Sequence, residues 1–522
     1  MQTLKNIPIG VQDFESLIHD DYLYVDKTEL IYRLITTGRY YFLSRPRRFG
    51  KSLLISTLKA FFLGKKELFH GLAIENLAKE WVEYPVLHLD LNTEKYDTKE
   101  ALENKLDLQL SMWEGLYGKN EKERSLATRF DGIIRRACEK TGRRVVILVD
   151  EYDKPMLQAI GNKELQDEYR ATLKGFYGAL KSQDASIKFA LLTGVTKFGK
   201  VSVFSDLNNL KDISMDSRYY NICGIDNAAL NGVLRPYVER LADEQKMTID
   251  AAYTELKKRY DGYHFTHDTD GIYNPFSVLN ALDSCRFGSY WFETGTPSYL
   301  VELLKMHNYR LEDMVTEEVD SDLLNSIDST STDPIPVIFQ SGYLTIKGYD
   351  SRFGTYKLGF PDEEVKDGFL RYLLPRYTSA VDEKRTAFHI KNFINEVQSG
   401  KIDDFMERLK SFFANTPYEL VKDLENHYQN VLFILCNLCG LYTKAEYHTS
   451  QGRIDMTIET ADYVYIFEFK FEKSADEALQ QIKDKNYAEP FRASGKKIVL
   501  VGANFNHSIR NIDEYKVLDF RE

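Results

Sequence analysis

The chain has 522 residues, of which 43% are hydrophobic and 28% charged, and its 68 Lys+Arg against 79 Asp+Glu leave a formal net charge of −11. That length suits about two to four domains with packed cores and excludes an extended disordered protein. The negative balance excludes nucleic-acid binding by broad electrostatics, so any such contact must come from a local basic strip.

In chain order, apolar runs near Tyr40–Ser44, Val86–Leu91, Arg144–Val149 and Ile187–Thr193 alternate with helical segments over residues 1–215. That rhythm predicts a parallel sheet wound on both faces. YYFLSRPRRFGKSLLISTLKAFF passes from an apolar strand through a basic turn into a helix. Gly50, Lys51 and Ser52 form the closing half of a phosphate-binding loop, where free N–H groups at a helix start face an anion. Lys51 is expected to reach the β/γ-phosphates of ATP and Ser52 to ligate Mg²⁺. The general G-x-x-x-x-G-K-[ST] pattern has glycine where this chain has Arg45, and the cluster Arg45, Arg47, Arg48 and Lys51 is expected to meet the phosphates. RRVVILVDEYDKP then reads as a buried strand ending in Asp150 and Glu151. Asp150 is expected to hold Mg²⁺ and Glu151 to orient or deprotonate the attacking water. A buried strand with a solvated acidic turn would explain the apolar run, but not its pairing with Gly50-Lys51-Ser52. Thr193 ends the next buried strand, an ordinary place for a threonine and also the place where ATPases with such a loop carry a polar γ-phosphate sensor.

Residues 216–345 change to helical stretches and aromatic turns (DGYHF, YWFETG), suggesting a helical lid or winged-helix-like module. HDTDG lacks the later ligands of a calcium loop and reads as a turn. YLTIKGYD and TYKLGFP read as a hairpin, and helices from Asp362 to Ala414 as part of a linker region over 346–414.

The most informative stretch is GRIDMTIETADYVYIFEFKF, two strands joined by a polar turn. Folding it on that turn sets Asp455 opposite Glu468. Glu468 and Lys470 share one face while Phe467, Phe469 and Phe471 share the other, since side chains alternate. Two carboxylates beside a lysine make a site for a hard divalent cation and an activated water. A lone Glu-x-Lys is usually a solvated face or a cross-strand ion pair, and here the hairpin register, the preceding Gly-Arg-Ile-Asp and the following helix argue for more. A helix carrying Glu425 precedes the hairpin, and a helix carrying Gln481 and a buried strand, KKIVLVGANF, follow it. Lys470, Lys473, Lys483, Lys485, Arg492, Lys496 and Lys497 supply either a local basic strip or ordinary solvated faces. Cys436 and Cys439 lie on an apolar helix and read as buried thiols, and His427, His448 and His507 lack ligand spacing. The longest apolar run, VLFILCNLCGL, is too short to span a bilayer, and no leader pattern is seen, so a cytoplasmic protein without a membrane partner is expected.

The order helix, strand, hairpin, helix, strand resembles the PD-(D/E)XK nuclease core, with Asp455, Glu468 and Lys470 in the motif positions and Glu425 and Gln481 in accessory ones. IPIGVQDFESL, YLYVDKTELI, FLSRPRRFGKSLL, LVDEYDKP, FGKVSVFSDLNNLKDIS, DGYHF, YNPFSVLNAL and YWFETGTPSYL resemble the AAA-ATPase-like family that carries such a domain at its C-terminus. In that family arginine commonly stands where Arg45 does. The resemblance implies a P-loop NTPase (ASCE/AAA-like) parallel sheet over 1–215 and a lid over 216–345. It further implies a linker over 346–414 and a restriction-endonuclease-like αβββαβ domain over 415–522. It also implies ATP and Mg²⁺ as cofactors and nucleic acid, DNA ahead of RNA, as partner, with a homo-oligomer left open. A STAND-like nucleotide switch whose C-terminal domain binds nucleic acid without cutting it is the alternative.

Overall fold

The computed structural model describes residues 4–198, 209–292, 298–325, 333–378, 386–414, 424–439, 442–449 and 452–520. Parts of two sequence motifs, FGKVSVFSDLNNLKDIS and YWFETGTPSYL, lie outside the described residues. The chain divides into two compact units, residues 1–295 with 316–365, and residues 296–315 with 366–522.

The first unit is built on a five-stranded sheet of order β2-β3-β4-β1-β5, formed by β1 (Tyr40–Ser44), β2 (Val86–Asp90), β3 (Val145–Asp150), β4 (Ile187–Gly194) and β5 (Lys211–Asp212). All its pairings are parallel, as the alternation of strands and helices requires. Every residue of β3 is buried, which is why VVILVD reads as an uninterrupted apolar run rather than an alternating one. Register sets Asp90 beside Asp150, and Leu43 beside Thr193. The C-terminal ends of β1, β3 and β4 therefore carry the loop Arg45–Gly50, the acidic pair and Thr193 together, at the edge where open α/β sheets bind ligands.

Helices Arg235–Glu244, Ile249–Tyr260 and Pro275–Ser284 form a second core around Leu234, Val238, Leu241, Leu256, Val278 and Leu282. The expected hairpin is present as β7 (Thr345–Asp350) and β8 (Thr355–Gly359), with β6 (Glu318–Asp320) added outside β8.

The second unit contains β9 (Tyr442–Thr449), β10 (Gly452–Glu459), β11 (Tyr463–Phe471), β12 (Lys497–Asn506) and β13 (Asn511–Asp519), in the order β13-β12-β11-β10-β9. Only β11 and β12 pair in parallel within it. The helix Ala475–Asp484 connects them and buries Leu479 and Ile482 against Val464, Ile466, Ile498 and Leu500. The opposite, aromatic face is covered by the helices Thr386–Gln398 and Ile402–Ala414, which the sequence placed in a linker region. Phe405 packs on Phe467 at 5.9 Å, Phe413 on Phe505 at 5.3 Å, and the Tyr465 hydroxyl donates to the Val397 carbonyl at 2.8 Å. These helices belong to this unit because their apolar faces are what the sheet's aromatic side packs against.

Candidate functional site

In the first unit, β1 runs into the loop Arg45–Gly50, and the helix Lys51–Phe62 starts directly after it. Gly50 sits at φ 91°, a left-handed conformation that turns the chain into the helix and favours glycine. Arg48 (φ 66°) and Glu151 (φ 52°) adopt the same strained region without being glycine, on either side of the same site. The Lys51 ammonium is buried and donates to the carbonyls of Arg45 (3.0 Å) and Pro46 (3.1 Å). Asp150 is gripped by two hydroxyls: Ser52 Oγ donates to its Oδ2 at 2.5 Å and Thr193 Oγ1 to its Oδ1 at 2.6 Å. Ser52, Asp150 and Thr193 are thus brought together, and Ser52 with Asp150 could hold a Mg²⁺ in place of their hydrogen bond. A cavity of about 520 Å³ beside them is lined by Arg47, Arg48, Gly50, Lys51, Ser52 and Glu151, a size and charge that suit a nucleotide. The sequence reading missed Gln12, Asn92, Lys154 and Phe276, which line it too.

Arg45 does not face that cavity. It is 1% exposed, stacks over Phe265 at 3.9 Å, and its guanidinium donates to the carbonyls of Ser44 (2.9 Å), Ser214 (2.8 Å), Tyr219 (3.3 Å) and Tyr220 (3.4 Å). The expectation that it meets phosphates is therefore corrected: its charge is spent on backbone carbonyls behind the loop. Burial pushes its pKa down to about 10. DGYHF supplies the rest of that support, with Tyr263 and Phe265 packing on Phe49 at 4.8 Å and 5.6 Å. Trp291 Nε1 also donates to the Arg47 carbonyl at 2.9 Å. Asp153, just past the acidic pair, accepts from the amides of Val195 and Thr196 and the Thr196 hydroxyl, fixing the exit of β4. Burial pushes its carboxyl up to about 6.

In the second unit, β10 and β11 pair Met456 with Phe467, so the next step of that register sets Asp455 opposite Glu468. The Phe469 amide donates to Asp455 Oδ2 at 2.8 Å, holding the aspartate against β11. Lys470 Nζ donates to Glu468 Oε1 at 2.7 Å and to Gln481 Oε1 at 2.6 Å, and Gln481 Nε2 donates back to Glu468 Oε1. Glu468, Lys470 and Gln481 thus form a closed triangle. Gln481 reaches it because the helix Ala475–Asp484 lies close on β12 at Gly502. A Cβ there would stand 2.5 Å from the Ala475 carbonyl oxygen, so only glycine permits that approach.

Glu468 is 2% exposed, and burial together with the charge of Asp455 pushes its pKa up to about 7. Its Oε2 is buried without a hydrogen-bond partner. Among the described residues no three His, Cys, Asp or Glu side chains gather as a ready-made metal cage. The set nevertheless fits Mg²⁺, which takes one or two carboxylates and keeps waters elsewhere, and the lone Oε2 supplies the unused donor. A cavity of about 340 Å³ is lined by Asp455, Glu468, Lys470, Lys473 and Glu425, so Glu425 joins the same site, and Glu312 lines it as well. Asn504, beside Lys470 in the β11–β12 register, is buried and accepts from the Lys473 amide at 2.8 Å. The sequence reading missed Glu312, Gly502 and Asn504. Of the expected basic strip, Lys496 pairs with Glu459, Lys497 with Asp519 and Arg492 with Glu489. Cys436 and Cys439 are buried thiols, and burial holds the His427 pKa down to about 4.

Residues 8–204 match the family described as "Predicted AAA-ATPase", and residues 423–515 match the PD-(D/E)XK nuclease superfamily. The chain is 37% identical over 531 residues to "Uncharacterized protein in vnfD 5'region" of Azotobacter chroococcum mcd 1, covering 97% of this chain and 98% of that protein. A solved structure, "Structure of the Aeropyrum Pernix ORC2 protein (ADPNP-ADP complexes)", aligns at TM-score 0.20 and 11% identity over 65% of this chain and 90% of that one.

Proposed function

The chain belongs to the family that joins an AAA-ATPase-like domain to a C-terminal PD-(D/E)XK nuclease superfamily domain, and on that premise we propose that it is a nucleotide-operated, metal-dependent nuclease. The observation that carries this reading is the Glu468–Lys470–Gln481 triangle, with Asp455 opposite it and a buried carboxylate oxygen left unpaired. Asp455 and Glu468 would hold a Mg²⁺, with Glu425 at the cavity wall. When bound, the cation polarises the phosphate and lowers the pKa of a water. Gln481 and Glu468 fix the Lys470 amino group, so that as the ammonium it can orient the attacking water or, once it has given up a proton, accept one from that water as the neutral amine. Gln481 is a positioning residue, since it acts on the lysine.

In the first unit Lys51 would exchange its loop carbonyls for β- and γ-phosphate oxygens, and Arg48 and Gly50 would line their path. Ser52 and Asp150 would hold Mg²⁺, Thr193 would report on the γ-phosphate through Asp150, and Glu151 would orient the hydrolytic water. The substrate of the second site is a polynucleotide, with DNA placed ahead of RNA.

Calorimetric Mn²⁺ titration beside a cleavage assay on DNA and RNA tests the nuclease reading. Asp455→Ala should lose both metal binding and cleavage. Lys470→Ala should bind Mn²⁺ and cleave at least about a hundredfold more slowly, in the range expected for a lost acid–base group. Cleavage that survives Asp455→Ala would sink the assignment. Wild-type protein that binds polynucleotide but neither Mn²⁺ nor cuts would establish the switch instead.

A further inference from the structure

One wall of the Asp455–Glu468 cavity comes from far up the chain. Residues 296–315 belong to the same compact unit as residues 366–522, and from them Glu312 lines the cavity with Glu425, Asp455 and Glu468. Its position is built rather than incidental. Leu311 is fully buried, and its amide donates to Asn430 Oδ1 at 2.8 Å. Asn430 Nδ2 donates to the Tyr309 carbonyl at 2.9 Å, and Asn426 Nδ2 to the Asn308 carbonyl at 2.5 Å. Asn426 and Asn430 stand one turn apart on the helix Leu424–Leu438, the helix that also carries Glu425. Two side chains on successive turns therefore clip residues 308–311 in place and deliver Glu312 to the cavity.

The Glu312 side chain is 13% exposed, with Arg310 at 3.3 Å from its Oε2. Glu312 thus shares the cavity wall with Asp455, Glu468 and the exposed Glu425, beside Lys470 and Lys473, and a polynucleotide phosphate would add a further negative charge. A buried carboxylate near other anions is costly unless a cation is held beside it. Glu468, 2% exposed with Oε2 unpartnered, points independently to the same requirement.

We propose that Glu312 is a further cation-holding residue of this site, holding the divalent ion through one of its waters. The proposal rests on the metal-site reading of the cavity and extends it to a residue outside the nuclease motif. The test uses full-length protein, with Mn²⁺ as probe, read by calorimetry and thermal unfolding. Glu312→Gln should leave the metal-free unfolding temperature unchanged or raised, weaken the Mn²⁺ Kd by about tenfold or more, and shrink the Mn²⁺-induced rise in unfolding temperature. Glu312→Asp, which keeps the charge but shortens the reach, should weaken Mn²⁺ less, and it carries the test if the glutamine variant does not fold. Wild-type Mn²⁺ affinity in Glu312→Gln or, failing that, in Glu312→Asp overturns the proposal while loss of binding in Asp455→Ala keeps the site reading intact. Absence of Mn²⁺ binding by wild type overturns both.

Discussion

Glu468 carries a proton to unusually high pH: its burial and the nearby Asp455 charge push its pKa up to about 7, against an ordinary 4.5. In the metal-free protein the folded state thus keeps a proton that the unfolded chain releases between those values. The stability this contributes is complete below pH 4.5 and is lost as pH rises through 7. Between pH 5 and 8 wild type should therefore lose on the order of 2–3 kcal/mol relative to Glu468→Gln in urea unfolding without divalent ions. A constant difference across that range would contradict the assignment. The same proton must leave when a cation binds, so Mn²⁺ affinity should climb from pH 6 to 8. Arg45 gives a second residue-scale test. Arg45→Gly would restore the general loop motif, yet it strands the carbonyls of Ser214, Tyr219 and Tyr220 and empties the space over Phe265. It should destabilise by about 3 kcal/mol, read by denaturant unfolding, where a phosphate-binding role would leave stability unchanged. The motif position of Arg45 was legible in the sequence. Its direction was not, because its partners lie about 170 residues on, in backbone that carries no side-chain signal.

At the scale of elements, the β10–β11 hairpin was fully legible, since a period-two pattern around a polar turn fixes both register and faces. β13 was not, because charged residues occur along the whole of NIDEYKVLD and leave no clean alternation at a sheet edge. The helices between Thr386 and Ala414 were visible as helices, but not what they cover: an amphipathic face names no partner. The segment Asn308–Glu312 was illegible for the same reason, its anchors Asn426 and Asn430 standing more than a hundred residues away. Phe405 tests the helical cover. It is 4% exposed and packs on Phe467 and on Phe393 at 5.2 Å. Phe405→Ala should cost about 3–5 kcal/mol and speed hydrogen exchange in β11 and β12. Unchanged protection there would mean that these helices contribute little to the sheet.

At the scale of the molecule, the chain passes between its two compact units three times, near residues 295, 315 and 365. The two units are therefore joined by three covalent connections rather than by one tether. A nucleotide that favours one state of the first unit can shift the second only if the two states differ at both sites. The measurement that bears most directly on a nucleotide-operated nuclease is the single-turnover cleavage rate with Mg²⁺, with and without ATP, in wild type, Lys51→Ala, Glu151→Gln and Asp455→Ala. ATP should change the wild-type rate by at least about fivefold, the low end of ordinary coupling. Lys51→Ala should be unresponsive, Glu151→Gln should hold the ATP-bound rate through many turnover times, and Asp455→Ala should not cut. Equal rates with and without ATP in wild type, Lys51→Ala and Glu151→Gln would contradict the account.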